Sequence, residues 1–498
     1  MKLSEILKDI ETIHVSGDAA AEITGIAYDS RKAGPGHLFI AIRGEKVDGH
    51  AFIDEAVKRG AVAVLYENPL SPAFISGGRG ETYPAPLTFI RVKDSKKALA
   101  SAANAFFMKP SEKLTVIGVT GTNGKTTTTY LIKSILESWG KKVGLIGTIQ
   151  YMIGDESFEA DHTTPESLEF QELLFKMLAS GCTYVISEVS SHALAQKRVE
   201  GTAFKAGVFT NLTRDHLDFH KTMEDYFAAK ERLFTELLDS RATSVINYDD
   251  VWGRKLIDIL RGNIYTFGLE TGTDIMATEI HTSFDGLRFK IRMRGRTYDI
   301  VSPLMGLPNV YNILSAAGVS ASLGVPWLVI LDGIKRAGPV KGRFEKVNAG
   351  QEFLAVVDYA HTEDALERLI YSARGLSGGK IITVFGCGGD RDRGKRPRMG
   401  SIATRLSDFV IITSDNPRSE KPEEIIKEIE TGAVRKNYLT EPDRKEAIKR
   451  AVFLAGDNDI VLIAGKGHET HQEMEGKRIA FSDRLILEEA IRQYISNK

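Results

Sequence analysis

The chain has 498 residues, 42% of them hydrophobic and 26% charged, with a formal net charge of -1 at pH 7. That balance excludes a disordered or fibrous protein, and the length exceeds what one core serves, so two to four domains are expected. A near-zero charge argues against a partner held mainly by phosphate-backbone electrostatics, so no nucleic acid is expected.

The opening segment, MKLSEILKDIETIHV, mixes charges with Leu3, Ile6, Leu7 and Ile10 at helical spacing, whereas a secretory signal needs an uninterrupted apolar stretch. The longest apolar runs, such as IVLIAG, are strand-sized and far below the roughly 18 residues that span a bilayer, so no membrane insertion is expected. Cys182 and Cys387 are the only cysteines and form no CxxC pattern, which suggests neither a disulfide framework nor a zinc site and fits a cytoplasmic location.

Residues 1–110 alternate short strands with helices and include a loose, Pro/Gly/Ser-rich stretch, NPLSPAFISGGRGETYPAPL, expected as a surface loop. From Leu114 apolar strands alternate with helices: LTVIGV, a Gly-Thr loop, the helix KTTTTYLIKSILESWG, then strands at KVGLIG, TYVISE, KAGVFT and TSVIN. A third series follows GPVKGRFEKV, with strands at FLAVVDYA, IITVFG, FVIITS and DIVLIAG. The expected fold is α/β in three domains: an N-terminal domain over 1–110, a central P-loop-type domain with a mostly parallel sheet over 111–337, and a C-terminal Rossmann-like α/β domain over 338–498.

The segment IGVTGTNGKTT, Ile117 to Thr127, joins a buried strand to a helix through small residues that lead into Lys125 and Thr126. Glycines let backbone N–H groups approach phosphate oxygens, the helix N-terminus favours negative charge, the lysine reaches the terminal phosphates and the threonine hydroxyl can ligate Mg²⁺. The strict GxxxxGK[ST] pattern would need glycine at 119, where Val119 stands between Gly118 and Gly121. A glycine turn that merely joins strand to helix is the plainer alternative; the strand, the lysine and two threonines in register favour ATP.

Glu188 ends the strand TYVISE at the C-terminal edge of the expected sheet, where ligands of open α/β sheets bind and a hard cation needs an oxygen. His216 stands in NLTRDHLDFH after the strand KAGVFT, among Asp215, Asp218 and His220. A solvated polar loop is the alternative there. Lys230 lies on the amphipathic helix MEDYFAAKERLFTEL and, from the residues alone, reads as a surface lysine.

The variant loop TGTNGKTT resembles that of the Mur ligase and folylpolyglutamate synthetase superfamily, and the resemblance extends to Mur ligases through all three domains. It implies that Gly121, Thr122, Asn123, Gly124, Lys125, Thr126, Thr127, Asn309, Asn312, Arg343 and Asp358 surround ATP. Tyr226, Ala229, Lys230, Leu233 and Phe234 match the pattern around a carbamylated lysine, which implies N6-carboxylysine at Lys230. Thr126, Glu188, His216 and Lys230 would then serve Mg²⁺, and Lys125, Glu188, His216, Lys230 and Arg343 catalysis.

In the first domain YDSRKAGPGHLFIAIRGEKVDGHAF resembles the family's uridine-nucleotide signature and implicates Ser30 and the stretch Glu45 to Val47. HTTP at 162–165 and EVSSHALAQKRV imply contacts to a muramoyl-peptide substrate from Thr163, Thr164, Ser190, Gln196 and Arg198. Family members often carry Asn where His162 stands and Pro where Glu363 stands. In the last domain the resemblance assigns Arg391, Asp415, Asn416, Pro417, Arg418, Gly465 and Glu469 to an amino-acid substrate. The family's DNPR accompanies meso-diaminopimelate, and a guanidinium can grip the second carboxylate that lysine lacks. Read alone, SDNPR could be only a turn.

The implied activity is ATP-dependent addition of meso-2,6-diaminopimelate to UDP-N-acetylmuramoyl-L-alanyl-D-glutamate through an acyl phosphate, with ATP and Mg²⁺, by a monomer. The alternatives are a lysine-adding or folylpolyglutamate-type ligase of the same superfamily, and a nucleotide-dependent switch that ligates nothing.

Overall fold

Alternation of side chains across a pleated strand puts Leu38, Ile40, Leu65 and Ile90 on one face of a five-stranded sheet and Phe39, Val64 and Phe89 on the other. The strands run in the order Thr12–Ser16, Thr88–Val92, Ala63–Tyr66, His37–Ile40, Gly25–Ala27. All pairs are parallel except the first. The helix Ser95–Phe106 covers one face with Ala98, Leu99 and Ala102, and Ile53–Lys58 covers the other with Ile53, Ala56 and Val57. Burial on both faces is why these strands read as continuous apolar runs. The computed structural model describes residues 1–44, 47–69, 87–376 and 378–497; most of the loose stretch and Glu45 and Lys46 of the uridine signature lie outside the described residues.

Contacts divide the chain into two compact units, Met1–Gly118 with Lys141–Gly207 and Ala229–Ala242, and Val119–Gly140 with Val208–Ala228 and Thr243–Lys498. Within the first, Val143–Ile146 pairs in parallel with Tyr184–Glu188. Two antiparallel strands that the sequence reading omitted, Gln150–Ile153 and Glu156–Glu159, extend from its other edge.

Within the second unit the strand ending at Asn247 pairs in parallel with Asn263–Gly268, and an antiparallel meander of Ile275–Ser283, Gly286–Met293 and Arg296–Ser302 follows. This meander was also absent from the expectation. Its second turn is Arg294-Gly295, both at positive φ (48° and 72°), the conformation that matches the twist of a two-residue hairpin.

From Glu345 onward the chain forms a six-stranded sheet ordered Glu345–Val347, Leu354–Asp358, Ile460–Ala464, Ile381–Phe385, Phe409–Thr413, Tyr438–Glu441. Only the first pair is antiparallel. Leu354, Val356, Phe385, Ile412 and Leu462 pack on one face against Leu366, Met399 and Ile425 of three helices, and Val357, Val384, Ile411 and Ile463 pack on the other against Ile448 and Leu487. The topology brings the loops after Phe385, Thr413 and Ala464 to one edge, since all three strands run the same way. No described helix is long and apolar enough to cross a membrane.

Candidate active site

The strand Thr115–Thr120 ends in the loop 121–124, and the helix Lys125–Ser138 begins at Lys125. Two glycines make the loop possible. Gly124 caps the helix at φ 87°, and a Cβ there would stand 2.4 Å from Asn312 Oδ1; at Gly121 (φ 142°) it would stand 1.9 Å from Thr210 Oγ1. The loop is tied down by its neighbours: Thr210 Oγ1 and Asn211 Nδ2 donate to Asn123 O at 2.6 and 3.0 Å, and Asn123 N donates to Asn211 Oδ1 at 2.9 Å. The Lys125 ammonium donates to the Gly121 and Thr122 carbonyls at 2.9 and 2.8 Å. Thr126, 3% exposed, receives Arg343 Nη2 at 3.3 Å on its hydroxyl. Asn312 donates to Asn309 Oδ1 at 2.9 Å, and Asn309 to Met305 O at 2.7 Å. The structure therefore brings the expected ATP residues 121–127, Asn309, Asn312 and Arg343 together.

Asp358 ends its strand with the carboxylate accepting Phe344 N at 2.6 Å and Ala360 N at 2.8 Å. Burial pushes its carboxyl above the usual range, against the pull of the Arg343 guanidinium. That guanidinium lies 4.6 Å from the centre of the Tyr359 ring, whose hydroxyl burial and then Glu469 push up to about 12.

His216 sits at φ 55° before the short helix Leu217–His220, its Nε2 3.4 Å from Asp215 Oδ2. Burial opposes ionisation of Asp215, but His216, His361 and Lys395 together hold its carboxyl below the ordinary value. Burial, followed by Lys395, holds His361 down. Asp215 thus sits among charged groups, while His216 and Asp218 are exposed. Glu363, where the resemblance leads one to expect proline in many members, stands at the first position of the helix Glu363–Arg374, where a carboxylate suits the helix N-terminus as proline does; it pairs with Arg398 at 3.1 Å and Arg214 at 3.7 Å.

In the first unit Glu188 is fully buried at its strand end and accepts Thr148 N at 2.9 Å and Thr148 Oγ1 at 3.0 Å. Thr148 Oγ1 lies 3.1 Å from Thr163 Oγ1; Thr164 Oγ1 donates to Glu188 O at 2.8 Å and accepts Ser190 N at 3.1 Å. Arg198 donates to Thr164 O at 3.1 Å and to Gln196 Oε1 at 2.6 Å. All five muramoyl-peptide candidates of the central region therefore gather about Glu188. Ser30 stands elsewhere, in the N-terminal domain, buried and donating to Glu55 Oε2 at 2.8 Å. His162 is exposed, and its carbonyl accepts the Tyr151 hydroxyl at 2.6 Å. The reading of Lys230 as a surface lysine is overturned: it is 1% exposed, because the helix Met223–Thr235 also buries Ala229 and Leu233 beside it. Among the described residues no group of three or more His, Cys, Asp or Glu could hold a metal alone. Mg²⁺ characteristically takes one or two carboxylates and completes its shell with phosphate and water, so a phosphate loop with Thr126 fits it.

The amino-acid candidates meet at the edge of the C-terminal sheet. Asn416 Nδ2 donates to Glu469 Oε2 at 2.9 Å. Gly465 (φ 121°) leaves no room for a Cβ, which would stand 2.5 Å from Asp415 Oδ2, and its N–H donates to Asp358 O at 3.0 Å, joining this cluster to the ATP residues. Pro417 is buried, its carbonyl accepting Glu420 N at 3.0 Å. Arg418 is not an open fork: Nε donates to Glu473 Oε2 at 3.0 Å and Nη1 to Gly389 O at 2.8 Å. Arg391 is exposed and makes no hydrogen bond or ion pair among the described residues; its Cγ and Arg418 Nη1 both flank Gly388. Sequence reasoning missed Lys466, Glu473, Arg444 and Asp483, which hold these loops. Lys466 stood inside AGKGHET between two residues that were singled out, and only its burial sets it apart.

Three family models match along the chain: "Mur ligase family, catalytic domain" over residues 22–107, "Mur ligase middle domain" over 119–320 and "Mur ligase, glutamate ligase domain" over 342–467. A UDP-N-acetylmuramoyl-L-alanyl-D-glutamate--2,6-diaminopimelate ligase of Solibacter usitatus is 46% identical over 99% of each chain, and one of Caldanaerobacter subterraneus subsp. tengcongensis is 44% identical over 99% of each. A solved structure of a ligase of that name has a TM-score of 0.69 and 32% identity over 99% of each chain. With likeness at this level over the whole length and the phosphate loop in place, the chain belongs to the Mur ligase family.

Proposed function

We infer that the protein is an ATP-dependent ligase that adds meso-2,6-diaminopimelate to UDP-N-acetylmuramoyl-L-alanyl-D-glutamate in peptidoglycan precursor synthesis. The observation that best supports the amino-acid specificity is the junction of Asn416 with Glu469, which joins the DNPR loop to the GKGHE loop beside Arg391 and Arg418. Two guanidiniums and a carboxylate at one sheet edge suit a head group that carries both a carboxylate and an ammonium.

The D-glutamate γ-carboxylate attacks the γ-phosphorus of ATP, ADP leaves, and the amine of diaminopimelate attacks the resulting acyl phosphate, releasing phosphate and a proton. The N–H groups of residues 121–126 cradle the phosphates, and Lys125 exchanges the Gly121 and Thr122 carbonyls for phosphate oxygen. Arg343, already on Thr126, adds positive charge there. Mg²⁺, when bound, offsets charge on the transferring phosphoryl group. Its proposed ligands are Thr126, Glu188, His216 and Lys230 carbamylated to N6-carboxylysine, roles carried from the family pattern. Asp358 and Asn309 contact ATP, roles carried from the family pattern. Ser30, Thr163, Thr164, Ser190, Gln196 and Arg198 bind the UDP-muramoyl dipeptide, and Asp415 to Arg418 with Arg391, Gly465 and Glu469 bind diaminopimelate. The proposed domain limits are 1–110, 111–337 and 338–498, in a cytoplasmic monomer.

Phosphate release with ATP, Mg²⁺ and the UDP-muramoyl dipeptide tests the reading. Release should depend on meso-diaminopimelate, with the tripeptide product seen by mass. Preference for L-lysine would overturn the specificity, and release indifferent to either amino acid would point to a nucleotide switch.

A further inference from the structure

Lys466 is fully buried, which is costly for an ammonium unless every donor finds an acceptor. Its Nζ donates to Asn416 Oδ1 at 2.9 Å and to Glu469 Oε2 at 2.8 Å. Asn416 Nδ2 donates to the same Glu469 oxygen at 2.9 Å, so the three side chains close a triangle. The loop allows this because Gly465 and Gly467 on either side adopt φ of 121° and 54°.

An ammonium can only donate, so its bond to Asn416, with that from Glu473 N at 2.9 Å, requires the amide oxygen on that side and turns the NH₂ toward Glu469. Both donors fall on Glu469 Oε2, and Oε1 keeps no protein donor among the described residues. The Glu469 side chain is 23% exposed, so its carboxylate remains within reach of a ligand.

We propose that Lys466 is a positioning residue for the amino-acid substrate: it orients Asn416 and Glu469 so that Glu469 Oε1 is offered to the distal ammonium of a diamino acid. The inference rests on the proposed diaminopimelate-adding activity and assigns to Lys466 a role in specificity. Without the lysine the Asn416 amide loses one of two constraints on its orientation and Glu469 Oε2 loses one of its two donors, so the substrate ammonium meets a carboxylate held less firmly.

The test compares the full-length protein with Lys466→Met, Lys466→Gln, Glu469→Gln and the Lys466→Met/Glu469→Gln double variant. KM is measured for each of the three substrates. Diaminopimelate-dependent turnover by the unaltered protein is the control; its absence would overturn the activity reading and the proposal with it, whereas the variant outcomes below overturn the role of Lys466 alone. Lys466→Met should raise the KM for diaminopimelate about tenfold or more while leaving the KM for ATP within about twofold. Lys466→Gln, which keeps a donor without the charge, should lie between. The double variant should be little worse than Glu469→Gln, because both changes act on one contact. An unchanged KM for diaminopimelate in Lys466→Met, equal losses toward all three substrates, or additive effects in the double variant would overturn the proposal. Failure of both Lys466 variants to fold would overturn it too, by making Lys466 a folding residue.

Discussion

Arg444 and Asp483 form a fully buried ion pair, Nε to Oδ1 at 2.8 Å and Nη2 to Oδ2 at 2.7 Å. The same guanidinium donates to Ser414 O at 3.1 Å and Ala464 O at 2.9 Å, the last residues before the DNPR loop and the GKGHE loop. One side chain therefore holds two loops whose strands are separated by Ile381–Phe385. Arg444→Met should leave Asp483 buried without its partner and two carbonyls without a donor, a loss of about 3–5 kcal/mol. Thermal unfolding checks this, with a midpoint lowered by about 5 °C or more expected; an unchanged midpoint would show that the pair does not hold the loops.

Lys125→Ala should remove the cation that meets the terminal phosphates while leaving the loop's other ties, through Asn123, Thr210 and Asn211, in place. The kcat for diaminopimelate-dependent ADP release should fall about 100- to 1000-fold with far-ultraviolet dichroism preserved. Turnover within a few-fold of normal would contradict the placement of Lys125 at the phosphates.

Gly124→Ala puts a Cβ 2.4 Å from Asn312 Oδ1 on a residue at φ 87°. Backbone strain of about 1–2 kcal/mol adds to the displacement of Asn312, which bonds Asn309. ATP affinity measured by calorimetry should drop about tenfold or more, whereas Gly140→Ala, at φ 72° with open space around its Cβ, should leave it unchanged.

Arg418→Lys keeps the charge and loses the fork that joins Glu473 to Gly389 O. A lysine is a point charge and cannot serve both acceptors in one plane. The KM for diaminopimelate should rise about tenfold or more, with kcat for saturating substrate less affected. Equal kinetics for Arg418→Lys and the unaltered protein would assign the diaminopimelate carboxylate to Arg391 alone.

Burial, with the Arg343 guanidinium adding to it, holds His468 down at about 4. An unfolded histidine titrates near 6.5, so between these values the unfolded chain binds more protons and stability falls as the pH is lowered. The loss begins near pH 6.5, reaches on the order of 3 kcal/mol by pH 4, and is absent above neutrality. His468→Gln should flatten this segment of the melting-temperature profile between pH 7 and 4.5; a profile parallel to the unaltered protein's would place the acid sensitivity elsewhere.

The fold was legible where apolar runs are long. The strands Thr115–Thr120, Tyr184–Glu188, Leu354–Asp358 and Ile460–Ala464 are buried and read clearly. Gln150–Ile153, Glu156–Glu159 and Arg296–Ser302 did not, because they are short or lie at a sheet edge and polar residues interrupt their apolar runs. Amphipathic periodicity placed Lys230 on the solvent side of its helix, yet it is buried.

The sequence by itself determined the family, the α/β alternation and the strand–loop–helix that carries the candidate phosphate loop, because these are written in contiguous residues: two glycines, a lysine and threonines between a buried strand and a helix. It also supplied the amino-acid motifs DNPR and GKGHE. Tertiary structure alone decided that Asn416 meets Glu469, that Lys466 stands between them, and that Arg444 with Asp483 ties both loops to one guanidinium. These partners are 30 to 53 residues apart in most cases, and a hydrogen bond over such separations is set by strand order and by exclusion of water, neither of which any local pattern encodes.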